Sequence, residues 1–347
     1  MRNNALYFPY ISIPNSAWTV RTLLYWDKLS SIVPIEYANR PEDLDDFMRN
    51  LVDAELVTPI IPAQFLYRVG QFETVFIELL DTRLKRIGRL RVDTKPHPRT
   101  RIHVEKLGKI PEVLVERGLA EQHDSSWYSV DTPVANLFMA YLAVCLGGLD
   151  EIDAAPVTNR WEYGSLFGYG PAVRRGKRPE HQKARNQIIE CLLPVPEGQV
   201  TLAELVEFKS RHGALLPALR TMIEARSAQI AMLPDADDRV DAVRAFVSES
   251  QLQVDELCDA MRFSWKKLAF SALIPLTGSG LQWTATPADN PAAFAGTGLS
   301  FLGAVYGALS SIGGLNDIQR RRPLAYVAHA HRRFNLAGQP LGELRSG

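Results

Sequence analysis

One stretch of this chain has almost no charge, and elsewhere the two signs cancel. From Leu268 to Leu315 the only ionised residue is Asp289, in a chain whose charged content is 22%. Lys266-Lys267 precede the stretch and Arg320-Arg321-Arg322 follow it. Lys plus Arg and Asp plus Glu number 39 each, so no global field draws the protein toward nucleic acid or anionic lipid. Cysteine is scarce. Cys145, Cys191 and Cys258 are far apart in apolar helical contexts, which excludes a disulfide framework and points to reduced thiols in a cytoplasmic protein. No apolar leader opens the chain, and the first run is strand-like. The Walker phosphate loop, the dinucleotide fingerprint, HExxH, CxxC and GxSxG are all missing, which removes the commonest nucleotide, metalloprotease, zinc and hydrolase chemistries. No cofactor or metal is expected.

At 347 residues two domains are expected, since single cores rarely grow past about 250–300 residues. Ala5 to Ile13 is rich in aromatic and β-branched residues and predicts a buried strand. Pro14-Asn15-Ser16 supplies turn and cap chemistry, Ala17 to Ser31 reads as a helix, and Ile32 to Ile35 as a second strand. Strand, helix and strand at this spacing make a βαβ unit with parallel strands. A second round follows: a helix opened by Pro41-Glu42-Asp43, reaching about Leu56, then a strand over Thr58 to Ile61. Phe65 to Leu90 predicts a long amphipathic helix. Arg101 to Glu105 and Trp127 to Val130 predict strands around a short helix near Glu112 to Arg117, and Thr132-Pro133 starts a helix running to Cys145.

Residues 1–160 therefore read as an α/β domain with a small, partly parallel sheet, and 161–180 as a Gly- and Arg-rich linker. Residues 181–347 read as an all-α domain. Thr201 and Glu204 form a capping box. A helix carrying Leu216, Leu219, Ile223, Ile230 and Leu233 is followed, after Pro234-Asp235, by a heptad seam of Val240, Val243, Val247, Val254, Leu257, Met261 and Leu268. Ser250 and Ser264 fill the two remaining slots. Two long helices joined by a tight turn imply an antiparallel hairpin or coiled coil.

ALYFPYISI with LLYWDKLSSIVP (Leu23 to Pro34), FMAYLAVCLGGL (Phe138 to Leu149), LLPVPEGQVTLAELVEFKSRH (Leu192 to His212) and PLAYVAHAHRRF (Pro323 to Phe334) resemble an uncharacterised bacterial family, a domain of unknown function. The resemblance covers most of the chain and implies a bacterial cytosolic protein. Its motifs concern packing and capping, and it supplies no activity or catalytic residue.

Asp27 shares a stripe with Val20, Leu23 and Leu24, and a buried carboxylate needs a partner. An ion pair or backbone hydrogen bond is the expectation, and a general base or metal ligand the alternative. His103, on the predicted Arg101–Glu105 strand, is the cheapest partner to name. Asp43, Asp45 and Asp46 fit a helix start better than a cation site. His329 and His331 lie two apart on a helix and so point in different directions, a poor basis for sharing a metal.

Ten Lys/Arg stand against two acids from Arg83 to Lys109, and six against one from Arg174 to Arg185. Arg174, Arg175, Lys177 and Arg178 are candidate phosphate contacts beside Phe167 and Tyr169. A solvated surface balanced by the acids of Glu36 to Glu55 is the plainer reading. Within 292–315, Gly296, Ser300, Gly303, Ala304 and Gly307 give close-packing helix positions, in lipid or in a soluble bundle.

The expectation is thus a cytoplasmic binding or scaffold protein with an unknown protein partner, in a defence or mobile-element setting. Burial of the charge-poor segment in protein is favoured. One alternative is a membrane-acting effector inserting the 268–315 hairpin. The other is a nucleic-acid-binding or processing protein using the two basic clusters.

Overall fold

The computed structural model describes residues 2–88, 98–160, 163, 178–194, 200–271 and 323–336. In chain order its elements are β1 (Asn4–Tyr7), α1 (Ala17–Tyr25), β2 (Leu29–Ile32), α2 (Ile35–Asn39), α3 (Asp46–Asp53), β3 (Val57–Ile60), α4 (Phe72–Gly88), β4 (Arg99–His103), α5 (Val104–Leu107), α6 (Ile110–Glu116), β5 (Ala120–Gln122), β6 (Trp127–Asp131), α7 (Thr132–Gly147) and β7 (Ala154–Val157). Five helices follow: α8 (Arg178–Leu192), α9 (Leu202–His212), α10 (Leu216–Ala231), α11 (Ala236–Ser271) and α12 (Ala325–Phe334). The fold is an N-terminal α/β part followed by a helical C-terminal part, as the composition and periodicity imply.

The main sheet is fully parallel, in the order β3-β2-β1-β7. Its alternation is strict because side chains along a strand point to opposite faces. Leu6, Phe8, Ile32, Ile60 and Ala154 face one side and join Phe72, Phe76, Phe138 and Tyr141 from α4 and α7. Three of those four rings meet near edge-on, Phe72 and Phe76 each against Phe138, and the Tyr141 hydroxyl donates to the Phe72 carbonyl at 2.8 Å. Ala5, Tyr7, Leu29, Val33, Val57 and Ala155 face the other side, where α1 and α3 pack. The core on that face continues without interruption into α8, α9, α10, α11 and α12. Burial on both faces explains why the strands read as apolar runs. A second, antiparallel sheet, β4-β6-β5, closes one end.

Several boundaries differ from the sequence reading. The first strand stops at Tyr7, and Pro9 cannot donate to a ladder. α1 ends at Tyr25, six residues short of the predicted end, because Leu29 to Ile32 are claimed by the sheet. Residues 41–43 form a 3-10 turn, and α3 begins instead beside Asp45, whose carboxylate accepts from the Met48 amide at 2.8 Å. The acids there serve a helix start. The Thr201–Glu204 capping box is present with both reciprocal bonds.

α10 and α11 form the hairpin across the turn at 232–235, and α8 lies against both. On α11 the seam Val243, Val247, Ser250, Val254 and Leu257 is buried at heptad spacing. None of the three cysteines is disulfide-bonded. Among the described residues no helix is long and apolar enough to cross a membrane, and the alternative of membrane association is corrected on that ground. Gly296, Ser300, Gly303, Ala304 and Gly307 lie outside the described residues.

Candidate functional site

The helical layer is fastened to the α/β layer at the C-terminal end of α1, where four consecutive carbonyls need donors. Leu23 and Trp26 each accept from Lys209 Nζ at 2.6 Å, Leu24 accepts from the Tyr326 hydroxyl at 2.7 Å, and Tyr25 accepts from Arg220 Nε at 2.8 Å. Two cations there also suit the negative end of the helix dipole. Arg220 grips Asp27 in a fork, Nη2 to Oδ1 at 2.6 Å and Nη1 to Oδ2 at 3.1 Å, and reaches Asn3 Oδ1 at 3.1 Å. Asp27 is thus the acid of an ion pair. Its pairing with His103 is corrected, since the two stand in separate networks.

His103 is 3% exposed and packs edge-on against Trp127. Its Nδ1 accepts from the Glu105 amide at 3.3 Å, capping α5, so the neutral ring carries its proton on Nε2. Nε2 lies 2.8 Å from Glu36 Oε1, off the line of a directed hydrogen bond. Glu105 returns the link by accepting from the Ile35 amide at 2.8 Å. His103 therefore ties α2 to the second sheet and is held in one tautomer.

The strand order places a topological switch between β1 and β7. The chain runs from β1 outward through β2 to β3, then crosses to the opposite flank of β1. Loops leaving the carboxyl ends of such a pair diverge, and open α/β sheets bind ligands in the crevice between them. Two hollows open at this edge, one on each face. The smaller, about 300 Å³, is walled by Trp18, Arg21, Trp26, Asn159, Arg185 and Glu190 among others. Two of its three arginines are already matched, Arg21 with Glu190 at 3.1 Å and Arg185 with Glu224 at 3.4 Å and over the Trp26 ring, and the third, Arg160, lines the larger hollow as well.

The larger hollow, about 630 Å³, lies in the size range of small-molecule sites. The β1 loop contributes Pro9 to Ser12, the second sheet Thr100 to His103 and Trp127, α5 Lys106, α7 Asn136 and Met139, and the β7 end Arg160 and Tyr163. The Arg160 guanidinium stands 5.5 Å over the Tyr10 ring. The Tyr163 hydroxyl donates to Asn136 Oδ1 at 2.8 Å, which turns the Asn136 amide group's N–H donors away from that contact. Arg101, Lys106 and Arg160 bring three cations to this wall, and no Asp or Glu is among the described residues that line it.

Lys106 is the least expected of them. It is 4% exposed, where the sequence reading counted it within a solvated basic cluster. Burial pushes its ammonium down to about 7, with no nearby charge opposing the shift. The faint signal was its spacing: His103, Lys106, Leu107 and Ile110 recur at three- and four-residue steps, a buried face. Of the 83–109 cluster, Arg89, Arg91 and Lys95 lie outside the described residues, as do the side chains of Lys85 and Arg86. Arg99 pairs with Glu121 and Asp131, and Lys109 is exposed. Arg174, Arg175 and Lys177 fall outside the described residues, as does the side chain of Arg178 at the start of α8.

His329 and His331 diverge as their spacing implies. His329 stacks on His212 with centroids 4.1 Å apart, and His331 Nε2 lies 2.7 Å from the Leu192 carbonyl. Among the described residues no group of three or more His, Cys, Asp or Glu stands ready to hold a metal ion. Comparison with family models, curated proteins and solved structures gives no match to this chain.

Proposed function

We propose that this protein binds a small anionic molecule, a carboxylate or phosphate ester, in the larger hollow at the β1/β7 switch. The observation that carries the reading is the unbalanced wall: Arg101, Lys106 and Arg160 around about 630 Å³ with no acid among the described lining residues. Two guanidinium groups and a buried amine, without a carboxylate among the described residues of the same wall, suit a ligand that brings its own negative charge. Thr100, Thr132, Asn136 and Tyr163 add neutral hydrogen-bonding groups to the same wall, as orientation of a polar ligand requires. The reading keeps the binding role expected from the sequence and gives it a ligand class.

Isothermal titration and thermal-shift measurements with phosphate, citrate, small 2-oxo acids and nucleoside monophosphates test it. At least one anion is expected to bind and to raise the melting temperature. Its affinity should fall about tenfold in Arg160→Ala, the loss of one charge-assisted contact of ~1.4 kcal/mol or more. If no anion binds at millimolar concentration, or Arg160→Ala and Arg101→Ala bind as well as wild type, the reading is wrong.

A further inference from the structure

We infer that Lys106 is a covalent attachment point for a carbonyl-bearing anion, such as a 2-oxo acid, which it holds as a Schiff base. The inference rests on the anion-binding reading of the same hollow and narrows its substrate class. Three features of the geometry support it. Lys106 is buried on the single-turn helix α5, at 4% exposure, yet it lines a cavity large enough for a small molecule. Among the described residues no carboxylate pairs with it, so nothing holds the amine in its charged form. Arg101 and Arg160 in the same wall supply charge for the anionic end of such a substrate.

A lysine held this way is chemically unlike an exposed one. Burial brings it down to about 7, so near neutral pH a large fraction is neutral amine with its lone pair available. An exposed lysine, with a reference value of about 10.4, has less than about one-thousandth of its population in that form. In the proposed step the Nζ lone pair attacks the carbonyl carbon, and the C=O π electrons move to oxygen. Proton transfer from nitrogen to that oxygen gives the carbinolamine. Loss of water then breaks the C–O bond and forms C=N. One amine and one carbonyl give one imine and one water, with no change of oxidation state.

The test uses the full chain, glyoxylate or pyruvate as probe, and sodium cyanoborohydride to reduce any imine to a stable secondary amine. Proteolysis and mass spectrometry then locate the added mass. The expected result is labelling at Lys106 at least about tenfold above exposed Lys28 and Lys109, suppressed by excess lactate, which has the anionic end and no carbonyl. Lys106→Arg cannot condense and is expected to lose the label. Labelling confined to exposed lysines, or equal at all of them, overturns the inference. If Lys106 is unlabelled while wild type still binds lactate, the anion site stands and the covalent step falls. If neither probe nor lactate binds, both fall.

Discussion

Removing Asp27 is expected to cost more than removing Arg220, although the two are partners in one ion pair. The asymmetry comes from where each charge sits. The Arg220 side chain is 1% exposed and the Asp27 side chain 48% exposed. In Asp27→Ala the guanidinium keeps Tyr25 O and Asn3 Oδ1 but loses its ion-pair partner while still buried. It also faces Lys209, a cation already depressed by burial and supported by Asp27. Breaking a buried pair so that one charge is left uncompensated costs about 3–5 kcal/mol. In Arg220→Met the buried charge disappears, its hydrophobic stem is largely replaced, and the half-exposed carboxylate of Asp27 returns to water. The remaining cost is chiefly the orphaned Tyr25 carbonyl, about 1–3 kcal/mol. The double variant should then resemble Arg220→Met, because once the cation is gone the acid has little left to do. Urea unfolding of the four proteins, read as midpoint shifts at unchanged slope, closes the cycle. An Asp27→Ala cost below about 1 kcal/mol, or an Arg220→Met cost exceeding that of Asp27→Ala, refutes the reasoning.

Three further outcomes follow from single sites. Lys209 is pushed down to about 8 by burial, so its folded value lies below its unfolded value near 10.5; the penalty is full below 8 and is relieved as pH rises to 10.5. Between pH 7.5 and 9.5 wild type should gain about 2 kcal/mol relative to Lys209→Met, and parallel pH profiles would contradict this. Burial, the neighbouring His212 and Arg332 depress His329 to about 4, again below its unfolded value near 6.5, so its contribution is lost as pH falls from 6.5 toward 4. With a discount for its partial exposure, His329→Phe should remove about 1 kcal/mol of the acid sensitivity between pH 7 and 5, visible as a shallower loss of melting temperature. A Cβ added at Gly147 would stand 2.4 Å from the Ala154 carbonyl, a backbone atom of β7. Gly147→Ala should destabilise by about 1–3 kcal/mol and loosen amide protection in β7, and unchanged hydrogen exchange there would exclude the clash.

Much of the architecture was legible because it is written in local patterns. The βαβ opening shows in apolar runs broken by Pro14-Asn15-Ser16. The capping box needs only Thr201 and Glu204 three residues apart. From Val243 to Leu257 the α11 seam repeats at seven and is buried at seven. These features are set by residues within a turn or two of one another, so short-range spacing is enough to find them.

What tertiary structure alone decided is everything that joins distant parts. β7 is four residues, Ala154 to Val157, with a proline among them, and it becomes a strand only because β1 offers an open edge. Without it there is no switch point and no reason to look at the loops beside it. Asp27 finds its partner 193 residues away, and the helix stripe could announce only that one was needed. Lys106 sits in a basic run that reads as solvated surface, and the packing of α5 under the second sheet is what buries it. A side chain's charge is local information, but its exposure and its neighbours are properties of the assembled fold, and those set how far a cation's energy departs from its value in water.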